Sequence, residues 1–146
     1  MILVSEVKSV QGRSSVRRGV QFQRACAHVI RGLGFPHADH SGTGAPTAYS
    51  RKGDISGVGD RVVECTVQPM ENLAGKLRQA EADAIRNGYR EYFVMKKAVR
   101  EPVERAYVVT RAEVLFPLLA RLERLERLED ELLGQLSRYQ DMQERV

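Results

Sequence analysis

The sequence predicts an α/β protein: a mixed β-sheet flanked by helices, extended by a long leucine-rich helix at the C-terminal end. Three observations carry this. β-Branched runs around Ile55 and Val62-Val63 flank a glycine-rich break, the mark of a hairpin. Stretches with helical periodicity stand before and after it, giving the order helix, strand, strand, helix, strand, strand, helix. Leucines then recur from Leu118 to Leu136 among Glu and Arg.

Composition sets the bounds. At 146 residues the chain is one domain with an appendage, divided as residues 1–116 for the α/β core and 117–146 for a helical arm. Charged residues make up 29% and hydrophobic ones 42%, the balance of an ordinary soluble protein. No apolar run approaches the ~20 residues needed to span a bilayer. Met1-Ile2-Leu3-Val4 is too short for a signal peptide, so a cytoplasmic protein is expected, with no membrane partner. Cys26 and Cys65 lack metal-type spacing and read as buried thiols in a reducing compartment. The net charge of +4 is mild, but its distribution is uneven. Arg13, Arg17, Arg18 and Arg24 crowd the first helix, Arg51 and Lys52 precede the hairpin, and acids gather in the last third. A basic half suits a polyanion such as DNA.

In chain order, Met1–Val10 alternates at Leu3, Ser5 and Val7 and is read as an edge strand, broken at 12–15. From Val16 to Leu33, the residues Phe22, Cys26, Val29 and Leu33 fall at i, i+4, i+7, i+11, a buried helical stripe stopped by Gly34. Pro36–Ser50 is a polar loop. Its His37, Asp39 and His40 are too few for a zinc site, which needs four ligands or three plus water. The hairpin turns at Gly57-Val58-Gly59-Asp60 and brings Asp54 and Glu64 to one end. Two carboxylates on rigid backbone are what a hard, oxygen-seeking cation such as Mg²⁺ requires.

Pro69 opens a second helix, where its missing N–H costs nothing. Leu73, Leu77, Ala80 and Ala84 form its buried face and Asn87-Gly88 closes it. Tyr89–Ala98 and Glu104–Thr110 read as strands joined across Pro102. Thr110 and Glu113 form a capping box with Val109 and Val114 as a staple. Pro117 is expected to kink or restart the helix that follows. That helix runs about 25 residues, on the order of 40 Å. Its leucine stripe is too wide to leave in water, and the spacing of three from Leu119 to Leu128 departs from a regular heptad. Self-association or docking on a partner is expected, with folding back over the sheet as the alternative.

Gly53-Asp54-Ile55-Ser56-Gly57, then Val62-Val63-Glu64-Cys65-Thr66-Val67-Gln68, resembles the active-site hairpin of the PD-(D/E)XK nuclease superfamily. More narrowly it is similar to the small Holliday-junction-resolvase-like proteins of phages and archaea, over Arg13 to Thr110. The resemblance implies a restriction-endonuclease-like fold. It also implies Mg²⁺, with Mn²⁺ as substitute, held by Asp54, Glu64 and the backbone carbonyl of Cys65, with Gln68 orienting water or substrate. Two positions depart from the family pattern. Thr66 stands where the family has its charged lysine, and Gln23, after Gly19 and Phe22, stands where the first helix has a glutamate.

Three functions follow from the resemblance. The first is a nuclease-fold DNA-binding protein with cleavage lost or weakened, a pseudoenzyme whose phosphate contacts are Arg17, Arg18, Arg24, Arg51 and Lys52. The second is an active Mg²⁺-dependent structure-specific endodeoxyribonuclease in which Lys76 or Lys52 replaces the motif lysine. The third reuses the fold for phage assembly, placing the protein in a virion rather than in the bacterial cytoplasm, with the C-terminal helix joining copies into a homo-oligomer.

Overall fold

The computed structural model describes residues 3–41 and 53–145, with side chains from residue 15 onward. Two compact units make up the chain, Met1–Thr110 and Arg111–Val146.

The first unit begins with α1, Leu3–Gly32, and here the sequence reading is corrected. No edge strand stands at residues 3–10 and no break at 12–15. Leu3, Val7 and Val10 also satisfy i, i+4, i+7, so the short alternation was a subset of a helical pattern. Gly12 inside the helix costs only about 1 kcal/mol. Phe22, Cys26 and Val29 are buried as the spacing requires, but Leu33 lies beyond the helix end and is exposed. The chain then turns through Gly34 at φ 126°.

Among the described residues five strands form one mixed sheet: β1 (Asp39–His40), β2 (Ile55–Ser56), β3 (Arg61–Thr66), β4 (Glu91–Lys96) and β5 (Tyr107–Val109), in that spatial order. β3 and β4 are parallel, and every other neighbouring pair is antiparallel. β1 is a short strand within the segment expected to be all loop. The hairpin turn lies at 57–60 as expected, with Gly57 at φ 73° and Gly59 at φ 70°. A Cβ at Gly57 would overlap the carbonyl of His37, so this glycine is required by both conformation and space.

The parallel pair needs a crossover. Pro69 leads into a 3₁₀ turn, Met70–Asn72, which runs into α2, Leu73–Asn87. Gly88 in the left-handed region (φ 69°) ends α2, and its N–H reaches the carbonyls of Ala84 and Ile85. At the other end of the strands, Arg61 Nε donates to Glu91 Oε2 at 2.5 Å, tying the starts of β3 and β4 together.

Alternation along β3 separates two faces. Val63 and Cys65 join Phe22, Cys26, Ala27, Ile55, Val58 and Met95 in the core under α1. Each fully buried aliphatic or aromatic side chain there contributes about 1.5–3 kcal/mol. Val62, Glu64 and Thr66 turn to the opposite face, where α2 packs on β3 and β4 through Ala80 and Ala84. Leu73 and Leu77 are only half-buried. β4 is shorter than Tyr89–Ala98, and β5 starts only at Tyr107 rather than Glu104 because Val103–Arg105 after Pro102 forms a 3₁₀ turn.

The second unit is α3, Ala112–Glu144. Its start differs from the expected capping box. Thr110 Oγ1 donates to the carbonyl of Tyr92 at 2.5 Å, and Arg111 takes the N-cap position without a side-chain bond. Pro117 neither stops nor restarts the helix, which continues without interruption to Glu144. It lies within two turns of the start, where it removes one i→i−4 bond, to the carbonyl of Glu113. Leu119, Leu122, Leu125, Leu128, Leu132, Leu133 and Leu136 are all 46–64% exposed. No helix among the described residues is long and apolar enough to cross a membrane.

Candidate active site

Strand alternation and helix packing bring three charged groups together. Asp54 immediately precedes β2 and is 8% exposed, while Glu64, in the middle of β3, is fully buried at 0%. Their separation along the chain is closed by the β2–β3 pairing, in which Asp54 N donates to the carbonyl of Val63 at 2.9 Å. Asp54 Oδ2 accepts the N–H of Cys65 at 2.9 Å, a charge-assisted bond that fixes the carboxylate beside β3.

The cation comes from α2. Lys76 Nζ lies 3.1 Å from Glu64 Oε2 and 3.8 Å from Asp54 Oδ2. Gln79, three residues along and therefore on the same helical face, directs its amide Nε2 to Glu64 Oε2 at 3.4 Å. Ala80 and Ala84 let the α2 backbone come close enough to β3 for a lysine to reach across. A carboxylate as deeply buried as Glu64 needs such a counter-charge, since an isolated ion there would be strongly disfavoured. The donor set fits Mg²⁺ or Mn²⁺ in kind: two carboxylates from adjacent strands are hard oxygen ligands. The ammonium of Lys76 is the positive charge that balances them here.

The remaining expected site residues divide. Thr66 is buried on the same face as Glu64, and its hydroxyl accepts the N–H of Gln68 at 3.1 Å. Gln68 itself is exposed, with its carbonyl oxygen 3.5 Å from the amide of Asn72. Gln23 is half-buried on α1, whose core residues Phe22 and Cys26 pack with Val63 and Cys65, on the face of β3 opposite Glu64. The thiol of Cys65 also faces α1. It is pushed far above the ordinary thiol range, first by hydrogen bonding with Cys26 and then by burial. Both thiols are free.

Arg17, Arg18 and Arg24 are exposed on α1. Arg24 Nε approaches His40 Nε2 at 3.4 Å, and His40 bonds in turn to Asp39 Oδ1. That bond, with the backbone N–H of His40, holds the Asp39 carboxyl below its usual range. Among the described residues no group of three His, Cys, Asp or Glu side chains gathers as a metal cluster. Arg51 and Lys52 lie outside the described residues, and the side chain of Arg13 does too.

One buried cation was missed from the sequence. Lys96 closes β4 at 6% exposure, in register with Thr66 on the parallel neighbour, and its Nζ donates to the carbonyl of Lys97 at 3.1 Å. The signal was a Lys-Lys pair ending the apolar run Tyr92-Phe93-Val94-Met95, legible only with the β3–β4 register in hand.

Comparison of the chain with protein-family models, with curated proteins and with solved structures finds no match.

Proposed function

We propose that the chain is a DNA-processing protein of PD-(D/E)XK type, a divalent-cation-dependent endodeoxyribonuclease in which Lys76 stands in for the motif lysine. The observation that supports this is the position of Lys76 Nζ, 3.1 Å from Glu64 and 3.8 Å from Asp54. A charge in that place does for the reaction what Thr66 cannot. It offers a preorganised positive group beside the phosphoryl oxygens as negative charge develops on them.

When bound, Mg²⁺ or Mn²⁺ polarises the phosphodiester and lowers the pKa of the attacking water. Asp54, Glu64 and the Cys65 carbonyl would hold it. The chain's own residues do the rest. The Cys65 N–H fixes the orientation of Asp54, and Gln79 and Lys76 fix that of Glu64. Arg17, Arg18 and Arg24 supply phosphate contacts along α1. The leucines of α3 present an apolar face that a second copy of the chain would cover, giving a homo-oligomer on branched or flexible DNA.

A DNA-binding protein with silenced cleavage is the second reading. It is favoured by the uncharged Thr66 and Gln23, which stand at the two positions where the resembled family carries charge. Nicking of a labelled four-way junction in Mg²⁺ and Mn²⁺ separates the two. Cutting by the parent, lost in both Asp54→Asn and Lys76→Ala, is the expected result. Cutting only after Thr66→Lys would instead identify a preserved but silent site. Absence of both cutting and binding would leave assembly through α3 as the function.

A further inference from the structure

Beyond the carboxylates, β3 and β4 end side by side, and the carboxyl ends of parallel strands are where α/β sheets commonly bind ligands. A crevice of about 350 Å³ opens there. Its lining includes Arg18 from α1, Gln68 after β3, Lys96 and Lys97 at the end of β4, and Arg100. Among the described residues no acid lines it. The adjoining hollow of about 190 Å³ shares Arg18 and Lys97, and Glu101, the one acid among the described residues that line it, is paired with Arg105 at 2.9 Å. Among the described residues no carboxylate neutralises Arg18, Lys96, Lys97 or Arg100.

Two details set this apart from a solvated basic surface. Lys96 is 94% removed from solvent and holds its ammonium on a backbone carbonyl rather than a carboxylate. A buried lysine without an acid partner is costly unless an anion completes it. Arg100 is the only described non-glycine residue at positive φ, 59°, a conformation that disfavours a side chain yet places a guanidinium at this mouth. Guanidinium and ammonium groups around one crevice match the tetrahedral oxygens of a phosphate.

We propose that this crevice is a second phosphate site, occupied by a backbone phosphate of the nucleic-acid strand that runs past Asp54 and Glu64. It builds on the nucleic-acid reading above and is independent of cleavage. Gln68 lies four residues beyond Glu64 along the β3 direction, at most about 13 Å away at strand rise. One strand therefore reaches both places. Arg18, Lys97 and Arg100 grip the phosphate from outside and Lys96 from below, fixing the register in which the strand meets the carboxylates.

The test is binding of a short fluorescent single-stranded DNA in EDTA, so that cutting plays no part, across a salt series. The variant Lys97→Gln/Arg100→Gly removes two charges. Glycine at position 100 suits the left-handed backbone and so protects folding, which circular dichroism checks. Affinity should fall roughly tenfold or more. The slope of log affinity against log salt should shrink by about 1.4, the value for two lost single-strand phosphate contacts. Arg90→Gln, an exposed cation outside the lining, serves as the control and should change neither. Unaltered affinity and slope in the double variant would overturn the proposal. So would equal competition by inorganic phosphate and by unlabelled DNA at matched concentration, which would make the crevice a free-anion site. Loss of DNA binding in the double variant, with no cutting by the parent, would keep the crevice and reject the nuclease reading.

Discussion

α2 and α3 are both amphipathic by sequence, yet they put their apolar residues to opposite use. α2 is 15 residues long and buries two alanines and an aspartate against β3 and β4. α3 is 33 residues long, and among its residues only Val114 is buried. The shorter helix, with the smaller apolar side chains, is the one that places Lys76. Small residues allow close approach, and close approach lets a flexible side chain deliver its charge across the gap between helix and sheet. The longer helix carries more leucines and leaves most of them exposed. Apolar content alone therefore says little about which helix packs on the sheet and which one keeps its leucines exposed.

The largest test of this contrast is catalytic. Lys76→Ala should lower cleavage by about 10²–10³, the usual cost of one preorganised stabiliser, measured on a labelled junction at saturating Mg²⁺. An equal loss in an α3 variant such as Leu125→Ser, measured where the chain is demonstrably monomeric, would erase the distinction between the helices. Next in size is packing. Ala80→Leu forces extra methylenes between α2 and β3 and should destabilise by about 1–3 kcal/mol in urea unfolding. Leu125→Ser on α3 should stay within about 0.5 kcal/mol in the monomer. The same substitution, combined with Leu132→Ser, should shift a self-associated species towards monomer in sedimentation velocity.

Smaller effects probe the other face of β3. Cys65 has its ionisation pushed far up by Cys26 and by burial, so in mildly alkaline buffer it should resist alkylation until the protein is unfolded. The smallest concerns Asp39. Its carboxyl is held below the ordinary carboxylate value of 3.8 by His40, so its folded form favours the charged state. Any stabilisation it gives is present above the ordinary carboxylate pKa and fades as pH falls through the lowered one. NMR titration should place its midpoint below 3.8, and His40→Ala should return it towards that value.

Much of this organisation was legible in the residues. The 57–60 turn, Ala80 and Ala84 on one helical face, and Gly88 as a stop each rest on a local rule, and local rules survive folding. What failed was ambiguous within a few residues. Leu3-Ser5-Val7 satisfies a strand period as well as a helical one, and Thr110 had a carbonyl available on β4 that a local capping rule does not see. The carboxylate pair could be named from the sequence, but Lys76 and Lys52 could not be separated without the packing of α2 on β3. Lys96 was hidden for the same reason. Its meaning depends on the residue opposite it, and that residue is 30 positions away in the chain.

The parallel pairing of β3 with β4 has a consequence for how the molecule is made. Asp54 and Lys76, with Glu64 between them, lie 22 residues apart, and the strand that anchors their helix ends at Lys96. Contacts this close in sequence carry a small loop-closure cost and form quickly. Synthesis proceeds from the N-terminus, so the segment holding all three charges leaves the ribosome before any of β5 or α3. The charged centre can therefore assemble on a nascent chain, while the leucine face that would join two copies arrives last. Emergence of the charged centre and of the leucine face is separated in time by the order of the polypeptide itself.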